Sequence, residues 1–196
     1  NTKVIYLANP NNPTGTYIEK TVLINFLNNI PSSIIVVLDE AYSDYISLKD
    51  YPNGISLLNQ YPNLVVTKSF SKAYGLGGLR IGYSVSSPDI ADILNRVRPP
   101  FNVSSISLEA AKASILDEEY IKDTVTLNTS GMQEMCNTFN ELDIKFISSV
   151  ANFISFKSPY DSVSLNKDLL NQGFILRPIS NYGMPDFLRV SIGLES

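Results

Sequence analysis

The sequence predicts an α/β fold, part of a mostly parallel sheet with flanking helices, followed by a small α+β region. Three observations carry this. Short apolar runs at Lys3–Ala8, Ile34–Leu38 and Leu64–Thr67 each end in polar or turn-rich sequence, as buried strands do. Helical patterns stand between them, which makes crossover connections. After the break Arg98-Pro99-Pro100, helical patterns come first, and strand and helix alternate only later. The expected division is residues 1–98 as one half of a large domain and 99–196 as a small C-terminal domain.

Each element has a local reason. The first strand runs into Asn9-Pro10-Asn11-Asn12-Pro13-Thr14-Gly15-Thr16, whose two prolines, three asparagines and one glycine suit only a loop. In open α/β sheets, ligands bind at such strand ends. A helix is expected from Ile18 to Asn29, with Val22, Leu23, Phe26, Leu27 and Ile30 on one side. A short helix is expected near Ile55–Asn59 and a strand over Arg80–Ser86. Ser87-Pro88-Asp89 then opens a helix to Arg96, since proline suits the first helical position. Three further helices are expected over 104–115, 118–129 and 130–142, with Ser105, Asp117 and Ser130 or their neighbours as caps. Strands over 145–148, 153–156, 175–177 and 188–192 surround a helix over 162–171 that Gly173 ends.

Composition excludes several classes. With 44% hydrophobic and 17% charged residues, the chain suits an ordinary globular core. A net charge of −4 argues against nucleic acid or an anionic membrane as partner. The longest aliphatic run, Ile34–Leu38, is too short to span a bilayer. The single cysteine, Cys136, excludes an internal disulfide and fits a reducing cytoplasm. There is no histidine, so acid–base work must use Lys, Tyr, Asp or Glu, and no metal site is expected. The chain lacks an initiator Met, and both ends read as cuts in a longer protein.

The chemistry-bearing residues gather at strand ends. The stretch Ser69–Tyr83, SFSKAYGLGGLRIGY, holds one lysine, one arginine, two serines and four glycines. A lysine that follows a buried strand and opens a glycine-rich loop is placed to be desolvated, which favours its neutral, nucleophilic form. The alternative is a lysine whose head simply reaches water. Asp39 ends the second strand, where a buried carboxylate needs a cation opposite it; the alternative is a turn cap. In a parallel sheet, Asn12, Asp39 with Tyr42, and Lys72 with Ser69 and Arg80 would share one edge. An amine, a carboxylate and a cluster of anion binders together suit pyridoxal phosphate. The glycines do not give GxGxxG, and no GK[ST] occurs.

Four strings, NPNNPTGT at Asn9–Thr16, LDEAY at Leu38–Tyr42, SFSKAYGLGGLRIGY at Ser69–Tyr83 and LRVSIG at Leu188–Gly193, resemble the fold-type I pyridoxal-phosphate aminotransferases. Among these they are most similar to the histidinol-phosphate aminotransferases. The resemblance implies that Lys72 holds the cofactor as a Schiff base and moves the substrate proton. It implies that Asp39 pairs with the ring nitrogen, and that Tyr42 and Asn12 bond the phenolic oxygen. Ser69 and Arg80 would bind the phosphate, with Ser71 nearby. Arg189 would clamp a substrate carboxylate, or meet the phosphate of histidinol phosphate, and Arg177 would contact that phosphate or brace the backbone.

The implied reaction is transamination of histidinol phosphate with 2-oxoglutarate, by a cytoplasmic homodimer that takes small amino donors and 2-oxo acids. The resemblance also implies that this chain lacks the family's N-terminal half, and that the fragment alone is inactive. Aromatic aminotransferases and threonine-phosphate decarboxylases share most of the strings. A non-catalytic sensor domain of a transcription regulator is a reading of another class.

Overall fold

The computed structural model describes residues 1–194. They form two compact units, one of Asn1–Pro10 with Tyr17–Lys122, the other of Asn11–Thr16 with the chain from Asp123 onward. The prolines at 99 and 100 separate two helices within the first unit.

In the first unit, β1 (Val4–Ala8), β2 (Ile35–Asp39), β3 (Leu64–Ser69) and β4 (Gly82–Ser86) lie side by side in that order. The first three are parallel and β4 is antiparallel to β3. Helix α1 (Lys20–Asn28) makes the crossover from β1 to β2. Its Leu23 and Leu27 pack with Val36 and Leu38 of β2 and Leu64 and Val66 of β3. The even-numbered positions of β2 and β3 therefore face the core, as the two-residue period of a strand requires. After β4 come α2 (Pro88–Val97) and α3 (Ser105–Leu116), the latter capped by Ser104, whose side chain accepts the Ser107 N–H. A second small core joins Phe70, Ile81 and Ala111 under the glycine-rich loop.

Helix α4 (Glu118–Glu141) is one continuous helix, where the sequence suggests a break near Ser130-Gly131. Ser130 Oγ bonds back to the Leu127 carbonyl at 3.1 Å, so the serine satisfies itself inside the helix. Gly131 is a packing residue, because a Cβ there would meet Ile192 Cγ2 at 2.6 Å.

The second unit is an antiparallel sheet with the order β5 (Phe146–Ile147), β6 (Phe153–Lys157), β8 (Phe187–Ser191), β7 (Arg177–Pro178). Helix α5 (Ser162–Asn171) lies between β6 and β7 in the chain. Ile154, Phe156 and Leu188 pack with Phe139 of α4 on one face of this sheet, and Val190 packs against the same cluster. Arg189, Ser155 and Phe153 alternate with these residues and face the other way.

Candidate active site

The parallel register sets the strand ends of the first unit in a row. Ala8 is beside Asp39, and Asp39 is beside Thr67. The row continues beyond the strands: Asn9 N–H donates to the Asp39 carbonyl and Glu40 N–H to the Thr67 carbonyl, each at 2.9 Å. The Tyr51 hydroxyl donates to the Asn9 carbonyl at 2.5 Å. Burial, with Glu40, Asp44 and Asp39 nearby, pushes that phenol well above its ordinary value, so it stays a donor.

Asp39 is exposed, and its Oδ1 accepts the Ala41 N–H at 3.0 Å. The turn-capping alternative is thus realised in the geometry, and the carboxylate faces outward rather than into the core. Tyr42 is buried at 7% exposure, and the Lys72 ammonium lies 5.2 Å from its ring centroid. Lys72 itself is half-buried, less enclosed than its sequence context suggests.

The glycine-rich loop folds back on itself and groups Ser69, Ser71 and Arg80. Ser69 Oγ accepts the Ser71 N–H at 3.0 Å. Arg80 Nη1 donates to Ser71 Oγ at 3.4 Å and to the Gly77 carbonyl at 2.8 Å. Arg80 has a φ of +52°, a left-handed conformation uncommon for residues other than glycine. Strain of this kind costs on the order of 1–3 kcal/mol and concentrates at functional sites. Gly75, at φ +70°, takes a left-handed turn for which glycine is suited, and a Cβ there would meet Tyr120 Oη at 2.6 Å.

Asn12 lies in the segment that belongs to the second unit, and its Oδ1 accepts from Arg189 Nη1. The same segment is fixed by Ser155 Oγ, which donates to the Pro13 carbonyl at 2.6 Å, and by Val150 N–H, which donates to the Gly15 carbonyl at 2.9 Å. The Arg189 guanidinium lies 4.8 Å from the Phe153 ring centroid. Arg177 is exposed and is the cross-strand partner of Arg189, so both arginines belong to one face of the sheet.

The structure therefore brings together Tyr42 with Lys72, Ser69 with Ser71 and Arg80, and Arg189 with Asn12 and Arg177. Sequence reasoning missed Glu40, Lys68 and Ser43. Glu40 is 1% exposed, and its Oε2 lies 3.0 Å from Lys68 Nζ. Strand parity was the available signal, because Val36-Leu38-Glu40 and Leu64-Val66-Lys68 continue the two core-facing files.

Similarity to known proteins bears on this arrangement. The model of the family "Aminotransferase class I and II" matches residues 1–196. The chain belongs to the class I and II aminotransferases. Histidinol-phosphate aminotransferase 2 of Pseudomonas fluorescens (strain Pf0-1) is 50% identical over 100% of this chain and 53% of its own length. The crystal structure of histidinol-phosphate aminotransferase from Sinorhizobium meliloti in complex with pyridoxal-5'-phosphate superposes with a TM-score of 0.88 at 29% identity, over 96% of this chain and 52% of that one. The histidinol-phosphate aminotransferase from Clostridium acetobutylicum has a TM-score of 0.91 at 22% identity, over 98% of this chain and 60% of that one, which shows the shared fold. This aminotransferase chain spans about half the length of the curated relatives it matches.

Proposed function

We propose that this chain is part of a pyridoxal-phosphate-dependent transaminase that exchanges histidinol phosphate and 2-oxoglutarate for imidazole acetol phosphate and glutamate. The observation that carries the reading is the strand-end set of the first unit: an amine beside a buried phenol, an outward carboxylate, and a serine–arginine cluster. Those groups match the cofactor's aldehyde, its basic ring nitrogen and its phosphate dianion, so the residues present fit it. The names of the relatives support the substrate pair.

Pyridoxal phosphate, when bound, supplies an aldehyde and an electron-withdrawing ring. Lys72 would provide the amine that tethers it and the base for the proton on the substrate α-carbon. Asp39 would face the ring nitrogen and favour its protonated form. Tyr42 and Asn12 would donate to the phenolic oxygen. Ser69 and Arg80 would hold the phosphate, where a guanidinium fork suits its oxygens. Arg189 and Arg177 take the anionic end of the substrate, which is a phosphate in histidinol phosphate and a carboxylate in glutamate.

On this reading the strand ends of the first unit carry most of the cofactor-binding residues, and the second unit is the small domain. The enzyme works in the cytoplasm as a homodimer. Among the described residues no helix is long and apolar enough to cross a membrane.

The test uses the full-length protein with pyridoxal phosphate. Borohydride reduction followed by peptide mapping is expected to place the cofactor on Lys72, and histidinol phosphate with 2-oxoglutarate is expected to yield glutamate. Label on another lysine overturns the site. Carbon dioxide release from threonine phosphate, with no glutamate formed from histidinol phosphate, overturns the substrate pair.

A further inference from the structure

We infer that the buried Glu40–Lys68 ion pair, completed by Ser43 and the Gly54 N–H, is a positioning element that sets the two strand ends carrying the cofactor ligands. This rests on the pyridoxal-phosphate reading above. Glu40 follows Asp39 directly, two residues before Tyr42. Lys68 precedes Ser69 and stands four residues before Lys72. The pair therefore joins the end of β2 to the end of β3 at the point where each strand delivers its chemistry.

The cluster is closely satisfied. Glu40 Oε2 takes the Lys68 ammonium at 3.0 Å, and Oε1 accepts the Gly54 N–H at 2.8 Å. The Lys68 ammonium also donates to Ser43 Oγ at 2.5 Å, and Ser43 Oγ donates to the Glu40 carbonyl at 2.9 Å. Glycine is required at 54, because a Cβ would meet Glu40 Oε1 at 2.6 Å, Leu38 Cδ2 at 2.8 Å and Val66 Cγ2 at 2.9 Å. The second carboxylate of this neighbourhood, Asp44, also feels the Lys68 charge.

An apolar pair would fill the same space, and buried ion pairs are often no more stabilising than their apolar replacements. What the ion pair adds is direction. A methionine or leucine can slide along the core face, whereas a carboxylate held by two donors fixes the pleat at residue 40, and an ammonium held by two acceptors fixes it at 68. Alternation then commits Asp39 and Ser69 to the opposite face. Glu40 and Lys68 are chain neighbours of Asp39 and Ser69 and act through them.

The experiment compares the full-length parent with K68M, K68R and the double variant E40Q/K68M, which removes both charges while keeping volume. In cofactor-free protein, amide hydrogen exchange over 40–43 and 68–72 is expected to accelerate about tenfold in the double variant, while Val36 and Leu38 keep the parent rate. With pyridoxal phosphate added, its dissociation constant is expected to rise about tenfold in the double variant and to return to the parent value in K68R. Parent-like exchange in the double variant overturns the inference, and so does faster exchange with unchanged cofactor affinity. If the parent itself takes up no pyridoxal phosphate, the proposed function falls, and the exchange rates alone decide the role of the pair. K68M, which strands the carboxylate, serves as the control for misfolding.

Discussion

The two sheets handle charge in opposite ways. In the first unit's mostly parallel sheet, charge sits at the strand ends: Asp39 turns outward, while Glu40 and Lys68 neutralise each other on the core-facing side. In the antiparallel sheet, charge sits within the strands, with Arg177 and Arg189 paired across β7 and β8 on the face away from the Phe139 core. The difference follows from burial. Core-facing positions of a sheet covered by α1 admit a charge only when it is paired. An antiparallel sheet with one apolar face leaves the other open to long cationic side chains. On the proposed reading, the site residues lie at edges in the first sheet and on a face in the second.

Removing Lys72 breaks the comparison most severely. K72A is expected to lower kcat by about 10⁴-fold or more, as loss of both the tether and the proton-transferring group predicts. Stopped-flow and steady-state assays with histidinol phosphate check this. A variant that keeps a tenth of the parent rate would remove the first sheet's edge from the chemistry.

The next largest effect is on stability, and it contrasts the two sheets directly. K68M leaves a carboxylate buried at 1% exposure without its cation, and is expected to cost about 3–5 kcal/mol in urea unfolding. R177M removes an exposed cation and is expected to change stability by about 0.5 kcal/mol or less. Equal losses would show that the pairing of Lys68 is not what separates the two regions.

Within the second sheet, R189A is expected to raise KM for the anionic substrate about 100-fold, and R177A about tenfold, because Arg189 is pre-set by Asn12 and the Phe153 ring. Parallel KM measurements with histidinol phosphate and glutamate tell whether Arg177 serves only the phosphate. The same loss for both substrates would make the two arginines one general anion clamp.

Much of this was legible in the sequence. Runs such as Ile34–Leu38 and the helix opened by Ser87-Pro88 carry their own local signals, and the structure places a strand or helix at each. The strand-end residues were legible because α/β topology delivers them as short contiguous strings. Side-chain environment was harder to read. Asp39 and Glu40 are neighbours with opposite fates, and only the parity of the core-facing file separates them. The partners of Glu40 at 43, 54 and 68 are set by register, which no local pattern encodes. Ser130-Gly131 reads as a helix break because the sequence does not show Ile192 packed against the glycine.

The smallest predicted effect again sets one unit against the other. Asp44, in the first unit, has its carboxyl raised above the ordinary value by burial, against the pull of Lys68. Its folded form binds a proton that the unfolded form has already lost, so stability falls as pH rises from the unfolded value through the raised one. Asp161, in the second unit, caps α5 and has its carboxyl held below the ordinary value by the Ser164 N–H. Its contribution is present above the unfolded value and is lost as pH falls through the lowered one. D44N is therefore expected to raise Tm at pH 7 by a few degrees, about 2–4 °C. D161N is expected to lower Tm slightly; the D44N difference should shrink toward zero below the ordinary carboxylate value, and the D161N difference only below the lowered value of Asp161. Thermal unfolding of the two variants between neutral and acid pH reads the signs. A D44N variant that is destabilised at pH 7 would mean that Lys68 holds Asp44 as a second counter-ion, which makes the charge beneath the parallel sheet a triad rather than a pair.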